Sequence, residues 1–190
     1  MAESKAIKSS VYGIKSIKFA ETPTNGKFPT EWTAFEMKAI VKDGLSFNDS
    51  APSTTNIEVE DMDVAYAILE TDKGSKGFTI QTYDLSKEAY AFFYGYEDGT
   101  GENDGWNVEK PGFNLTSKAV QVTTQEFGEF PSRVFEWASM KLTVSNTGTI
   151  GKSGFPNLNI ECIKQVFVGT DGKEIAGARW KNVESTDATA

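Results

Sequence analysis

Histidine is absent from this chain of 190 residues, and cysteine occurs once, as Cys162. Without histidine the chain lacks the usual general base near neutral pH and the commonest zinc ligand, which excludes Ser-His-Asp and Cys-His catalysis. A single cysteine excludes an intramolecular disulfide framework, and its alternating apolar surroundings predict a buried, inert thiol. We therefore expect no enzyme, no catalytic residue, no cofactor and no resident metal, although carboxylate-only chemistry stays open.

Long apolar runs and positive charge are also scarce. No run approaches the roughly 20 apolar residues of a membrane-spanning helix, so we expect no membrane segment. The chain has 19 Lys and Arg against 27 Asp and Glu, for a net charge of −8. Because tight DNA binding needs bases that displace counterions from phosphates, this balance disfavours a nucleic-acid-binding protein. It suits a protein that lets DNA pass without holding it.

What the sequence does contain is two-residue alternation of apolar and polar residues, which is typical of half-buried strands. The segments that alternate most clearly are Thr33–Ala39, Met140–Ser145 and Ile160–Val168. Weaker strands are predicted over Ser10–Ala20, Asn56–Glu60 and Ala119–Gln125. Together they predict a mainly β protein with antiparallel sheets. We expect one domain over residues 1–182 and a frayed tail over 183–190.

Two turn sequences predict hairpins. Asp72–Gly77 is rich in glycine and separates the apolar segments Val64–Thr71 and Phe78–Tyr83. Asp171-Gly172 is a two-residue hairpin signal before Glu174–Trp180. Both turns are interpreted as connections between paired strands.

One segment follows a helical pattern instead. Asp84 or Ser86 suits the N-cap position, and Gly95 suits the left-handed position after a helix. Three apolar residues share one helical face: Leu85, Ala89 and Phe92. Because so short a helix is not stable alone, we expect these side chains to pack against the sheet.

Two acidic stretches are predicted to be loops. Asp43–Asp63 carries six acids and no base, and Glu97–Gly105 carries four acids and three glycines. The acids of Glu97–Gly105 do not follow the spacing of an EF-hand, so a solvated loop is favoured over a calcium site. Glu58 and Glu60 fall on one strand face by simple alternation, which explains them better than the paired carboxylates of a glycosidase.

Aromatic residues leave a second class of function open. They make up 12% of the chain and include Trp32, Trp106, Trp137 and Trp180. Core packing explains most of them first, yet exposed Trp or Tyr would suit a sugar-binding surface. A carbohydrate-binding β-sandwich and, more weakly, a carboxylate-based glycoside hydrolase are therefore alternatives.

The order of the segments carries a resemblance. An acidic strand at Thr55–Asp61 precedes a strand that ends in Asp84-Leu85, then the helix Ser86–Tyr94 and the closing Gly95. In this order, roughly over Thr33–Val168, the chain resembles the major tail tube proteins of tailed phages and the Hcp-like tube proteins of bacterial injection systems. The resemblance implies an antiparallel β-sandwich or barrel with one short flanking α-helix. It also implies hexameric rings that stack into a tube, a conduit for DNA or effectors.

The resemblance further implies partners and sites. The partners would be other copies of the chain, other tail or injection-machine proteins and passing DNA, in a virion tail assembled in the bacterial cytoplasm. The polar loop Asp43–Thr55 would reach the next ring, with Leu45 and Phe47 docking on it. We expect Glu58 and Glu60 to face the lumen, with Ile57 and Val59 buried behind them; an outer position that merely aids solubility stays open.

Overall fold

The computed structural model describes residues 11–58, 60, 67–128, 130–152 and 154–183. These residues form twelve strands, one α-helix and a short 3-10 turn at Gly101–Asn103. The strands are β1 Tyr12–Glu21, β2 Phe35–Met37, β3 Ile40–Phe47, β4 Ser53–Ile57, β5 Ala67–Asp72, β6 Gly77–Thr82, β7 Tyr96–Asp98, β8 Asn107–Glu109, β9 Lys118–Gln125, β10 Arg133–Thr147, β11 Asn157–Lys164 and β12 Ala178–Asn182. The helix, α1, is Lys87–Tyr94.

Eight of the described strands form one antiparallel sheet, in the order β2-β1-β9-β10-β11-β6-β3, with β12 beside β10. The long strand β10 lies near the middle of the sheet. β9 pairs with one edge of β10, and two different strands pair with its other edge. Along that edge β12 pairs with Arg133–Trp137 and β11 with Met140–Thr147. The predicted mainly β, antiparallel fold with one short helix is confirmed.

The two outer strands of this sheet are neighbours in the chain. β2 ends at Met37 and β3 begins at Ile40, so only Lys38 and Ala39 join the two edges. Since successive Cα atoms lie about 3.8 Å apart, the edges approach within about 11 Å at this point. The sheet therefore curls around its own core, but the described strands do not close it into a hydrogen-bonded barrel.

The core lies inside the curl. Its largest fully buried side chains come from five strands: Ile17, Phe19, Phe78, Ile80, Val120, Met140, Leu158 and Ile160. The predicted alternation is confirmed at Met140–Ser145, where Met140 and Leu142 are buried and Lys141 is exposed. Cys162 is fully buried on β11, and burial raises the pKa of its thiol. It is chemically sheltered, as the sequence predicts.

Alternation does not continue to Val168 as predicted. β11 ends at Lys164, and beyond it Phe167 is buried whereas Val166 and Val168 are exposed. The phase changes because Gln165 leaves the β11–β6 ladder and its backbone N–H donates to the carbonyl of Ser139 instead, at 3.0 Å.

Helix α1 begins and ends as its caps predict. The Ser86 hydroxyl accepts a hydrogen bond from the Ala89 N–H at 3.2 Å, and Gly95 adopts the left-handed conformation with φ of 70°. Ala89 is buried, while Leu85 (just before the helix) and Phe92 are partly buried against the core. All three were predicted to be buried, but only Ala89 is, and the deepest aromatic of the helix is Phe93. The described helical segments include none with the length and apolarity to span a bilayer.

The two predicted hairpins fare differently. The chain does reverse at Asp171-Gly172, where Val168 bridges to Glu174. The hairpin around Asp72–Gly77 is wrong: β5 pairs with β4, and β6 pairs with β11 and β3. Residues 64–66 of the predicted first strand lie outside the described residues, as does the predicted tail except for Val183.

The helix contact gives a first prediction. Phe93 is 3% exposed and its ring lies 5.8 Å from that of Phe19 and 5.4 Å from that of Phe35. We expect Phe93→Ala to lower the free energy of unfolding by about 3–5 kcal/mol, the usual cost of emptying a buried aromatic site. The matched control is Phe92→Ala, which removes an identical but half-buried ring and should cost less. Urea denaturation of both variants measures this, and an equal or larger loss for Phe92→Ala contradicts the packing described.

Candidate functional site

The described acidic residues do not converge on a metal site. No three or more Cys, Asp or Glu side chains in the described part of the chain lie close enough together to hold a metal ion. In the stretch Glu97–Gly105, β7 pairs with β8 in a small hairpin. Asp98 there forms an ion pair with Lys87, and Glu97 with Lys110. These two acids thus face bases rather than one another.

A two-stranded hairpin that leaves the main sheet is the most distinctive surface feature. β4 and β5 pair with each other, in register from Thr54–Glu70 to Ile57–Ala67, and form a sheet of their own. Every residue of β4 is exposed. We call β4 and β5 the arm. Among the described elements, none forms a layer over its strands, and Ile68, Leu69 and Glu70 of β5 are exposed as well.

The arm grows out of the β3–β6 ladder. Beyond the last pair of that ladder, the Asn48 N–H donates to the Gly77 carbonyl at 2.9 Å, and the Ser50 N–H to the Ser75 carbonyl at 2.8 Å. The Ser75 N–H in turn donates to the Ser50 hydroxyl at 2.7 Å. The base of the arm is therefore hydrogen-bonded backbone that continues the sheet.

Gly74 lets two segments of the backbone, 48–52 and 73–77, approach each other closely at this base. Its φ is +70°, and a Cβ placed on it would lie 2.3 Å from the Ser50 carbonyl oxygen and 2.9 Å from the carbonyl carbon of Ala51. Both atoms are backbone and cannot turn aside as a side chain would. The position therefore requires glycine for its conformation and for the space.

The surface of the arm is both apolar and acidic. Ile57, Ile68 and Leu69 are 40%, 66% and 52% exposed. Residues 53–72 contain six acids and no base. Ile57 and Leu69 lie on one face of the hairpin and Ile68 on the other, so both faces carry exposed apolar side chains. An isolated two-stranded hairpin is marginally stable in water, and exposed apolar side chains of this kind mark contact surfaces. The arm has the composition of an element completed by a partner.

The structure changes the positions assigned to the sequence-predicted site residues. The predicted loop Asp43–Thr55 is wrong at both ends: Leu45 and Phe47 lie on β3 opposite Ile80 and Phe78, and the loop's last three residues lie on β4. Leu45 packs against the core, whereas Phe47 is largely exposed. The predicted strand Asn56–Glu60 is wrong at its end: β4 stops at Ile57, which is exposed rather than buried.

Glu58 and Glu60 therefore do not share a strand face. Glu58 follows the last residue of β4 and Glu60 lies in a turn, and both are exposed. Val59, predicted to be buried behind them, lies outside the described residues. Both acids belong to the end of the arm that points away from the sheet. Their predicted position in a lumen stays a prediction.

Two further surfaces come from the incomplete closure of the sheet. No described strand pairs with the outer edge of β3, and β2 covers β1 only at Ile17–Phe19. Between these edges lies a cleft of about 590 Å³ whose apolar lining includes Val11, Ile14, Val41, Leu45, Phe135 and Trp137. Unpaired backbone at a sheet edge is a template for another strand.

Of the four tryptophans, one packs against the core, two lie at the surface and Trp32 is half-buried. Trp137 packs on Phe78, with ring centroids 4.6 Å apart, as core packing predicts. Trp106 and Trp180 are largely exposed, and the guanidinium of Arg133 lies 4.4 Å from the Trp180 ring. Two flat aromatic surfaces thus face solvent, on β12 and on the β7–β8 hairpin.

Comparison of the chain with protein-family models and with curated proteins finds no match. Function is therefore inferred from the geometry of the arm, the open edges of the sheet and the exposed aromatics. Of these, the arm combines the most features that a single subunit leaves unsatisfied.

Gly74 gives a second prediction. Gly112 has the same kind of backbone conformation, with φ of +74°, but open space around its Cβ direction. We expect Gly112→Ala to show only the strain of a left-handed alanine, about 1–2 kcal/mol. Gly74→Ala should add the clash with the Ser50 carbonyl and loosen the base of the arm.

Hydrogen exchange measures the difference. In the Gly74→Ala variant, amides of β4 and β5 should exchange faster than in the parent, while those of β9 and β10 stay protected. In Gly112→Ala the arm should exchange as in the parent. Equal protection of the arm in all three proteins would show that the close contact between Gly74 and the Ser50 backbone does not stabilise the arm.

Proposed function

We propose that the protein is a structural subunit that assembles with copies of itself into rings, which stack into a tube serving as a conduit for DNA or for effectors. Hexameric rings are the assembly that the resemblance to tail tube proteins implies. The observation that carries the proposal is the arm, a paired hairpin that displays Ile57, Ile68 and Leu69 with no described element to cover them. The proposed setting is a virion tail or an injection machine, assembled in the bacterial cytoplasm with its other components.

Energetics support contact through the arm. Burying exposed apolar surface is favourable by roughly 25 cal/mol per Å². A two-stranded hairpin that packs on nothing is only marginally stable in water. A neighbouring copy would both cover the apolar side chains and fix the strands. The stacking role that the sequence analysis gave to Leu45 and Phe47 therefore moves to the arm, since Leu45 is already packed on its own core.

The open edges of the sheet support contact within a ring. The outer edge of β3 and the first half of β1 offer backbone groups that no described strand pairs with. Each copy presents two different edges, so a contact between unlike edges is heterologous and closes into a ring when the rotation closes. Exposed Phe47 lies on the β3 edge and would be covered by such a neighbour.

A carbohydrate-binding module is the second candidate, favoured by Trp106 and Trp180. Both rings are exposed, and a flat exposed indole is a stacking surface for a sugar. Titration with oligosaccharides while tryptophan fluorescence is followed tests this candidate. A saturable change that Trp180→Ala or Trp106→Ala abolishes would favour it over the tube.

The arm gives a third prediction. We expect the triple variant Ile57→Thr, Ile68→Thr, Leu69→Thr to stay folded, because threonine keeps a strand preference and the three side chains are exposed. Its free energy of unfolding should stay within about 0.5 kcal/mol of the parent. Electron microscopy and light scattering should show tubes for the parent at high concentration and none for the variant.

The control for that variant is Val166→Thr with Val168→Thr, which changes exposed apolar residues outside the arm. We expect this control to assemble like the parent. A parent that stays monomeric across concentration and salt contradicts the proposed function. A triple variant that forms normal tubes shows instead that the arm is not the stacking element.

The acids beyond β4 give a fourth prediction. If Glu58 and Glu60 face the channel, Glu58→Lys with Glu60→Lys should yield tubes that retain DNA at low salt, since each added base can release a phosphate counterion. Retention should fall steeply as salt rises, because the attraction between the added lysines and DNA reaches only about 8–10 Å near physiological salt and less at higher salt. Co-sedimentation of tubes with DNA measures it. Binding no stronger than that of the parent places these residues outside the channel.

A further inference from the structure

The end of the sheet opposite the arm also displays apolar side chains. β6 runs from Gly77, at the base of the arm, to Thr82. Its six residues span about 20 Å at the usual rise of a strand. Beyond Thr82 lie Tyr83 and the turn that joins β10 to β11. The arm and this turn thus leave opposite ends of the same ladder.

Three exposed residues form what we call the far patch: Tyr83, Ile150 and Phe155. They are 50%, 88% and 79% exposed, which makes Ile150 and Phe155 two of the most exposed apolar side chains described. The rings of Tyr83 and Phe155 lie 6.4 Å apart in an edge-to-face arrangement, so the patch is continuous between the end of β6 and the turn.

The turn that carries the patch is a built structure. Thr147 and Asn157 form the last pair of the β10–β11 ladder, and Gly151 bridges to Gly154 further out. Gly148 has φ of +86°, and a Cβ on it would lie 3.0 Å from the Phe155 carbonyl oxygen. This close approach fixes the backbone at Phe155. The Phe155 side chain is largely exposed and contacts the Tyr83 ring.

Charge distinguishes the two ends. Residues 53–72 carry six acids and no base, whereas residues 147–157 carry Lys152 as their one charged residue. Lys152 is exposed beside the far patch. An acidic apolar hairpin at one end and a basic apolar turn at the other are complementary surfaces, and an attraction between them steers association.

We propose that the far patch of one copy receives the arm of the next. Ile68 packs on Ile150 and Phe155, and Lys152 meets Glu70, which lies on the same face of β5 as Ile68. The proposal rests on the proposed function and names its receiving surface. Because the two surfaces differ and lie at opposite ends, the contact is heterologous. It can propagate without limit, since each added copy presents a new free surface at its other end.

Engineered cysteine pairs test the contact directly. The native thiol of Cys162 is buried, so it should not react, and new thiols can be placed in the full-length chain. The test pair is Ile68→Cys with Ile150→Cys, both at exposed positions. The matched control is Ile68→Cys with Val166→Cys, since Val166 is 67% exposed but follows β11 at the end where the arm begins.

Mild oxidation of assembled protein should join the test pair into a ladder of dimers, trimers and longer covalent chains on a non-reducing gel. The control pair should give no ladder. Assembly of the test pair without a ladder, or equal ladders from both pairs, overturns the far patch as receiver and leaves the proposed function standing. A parent that never assembles overturns both.

Charge reversal provides a second, independent test. Lys152→Glu should raise the concentration needed for assembly by about tenfold, and Glu70→Lys in the same chain should restore much of the loss. Lys173→Glu, at another exposed turn lysine, should leave assembly unchanged. Equal effects of Lys152→Glu and Lys173→Glu would show a dependence on net charge alone and overturn the pairing.

Discussion

The two-residue connection between β2 and β3 constrains the rest of the fold. The hydroxyl of Thr82 donates to the Lys38 carbonyl at 2.6 Å, and the N–H of Tyr83 donates to the Ala39 carbonyl at 3.0 Å. Thr82 is fully buried, so its hydroxyl must find a partner inside the protein. These bonds fasten the connection to the end of β6, and the opposite edges of the sheet cannot separate.

The curl that follows decides where the apolar side chains lie. Side chains from β1 and β6, which are far apart in strand order, meet in one core, and α1 covers the opening beside β2. Phe19 contacts the rings of both Phe92 and Phe93 there, with centroids 5.4 Å and 5.8 Å away. The same curl brings β1 and β3 close without pairing them, which leaves the cleft and the open edges.

The parts of the fold that sequence reasoning predicted are those with one buried face. β11 and the second half of β10 alternate because each turns one face to the core, and the ends of α1 are marked by Ser86 and Gly95. Phe93 was missed because two phenylalanines follow each other, and periodicity in so short a helix does not decide which ring is deeper.

The candidate site was harder to predict for physical reasons. β3 carries Lys42, Asp43 and Gly44 in a register shift, with Asp43 at φ of 57°, so its alternation is broken and its composition is that of a loop. None of the arm residues whose burial the structure describes is buried, and a strand exposed on both sides leaves no alternation to detect. Turn residues at 72–77 show that the chain bends, but they do not show which strands pair.

The continuity between the arm and the β3–β6 ladder has a mechanical consequence. A pull on the arm along the strand direction passes into β6, which is hydrogen-bonded to β11 on one side and to β3 on the other. Such a load acts on the backbone bonds of both ladders at once, in shear, so that no single bond must yield first. A subunit built in this way can bear tension along its length, because a pull on the arm loads both ladders together.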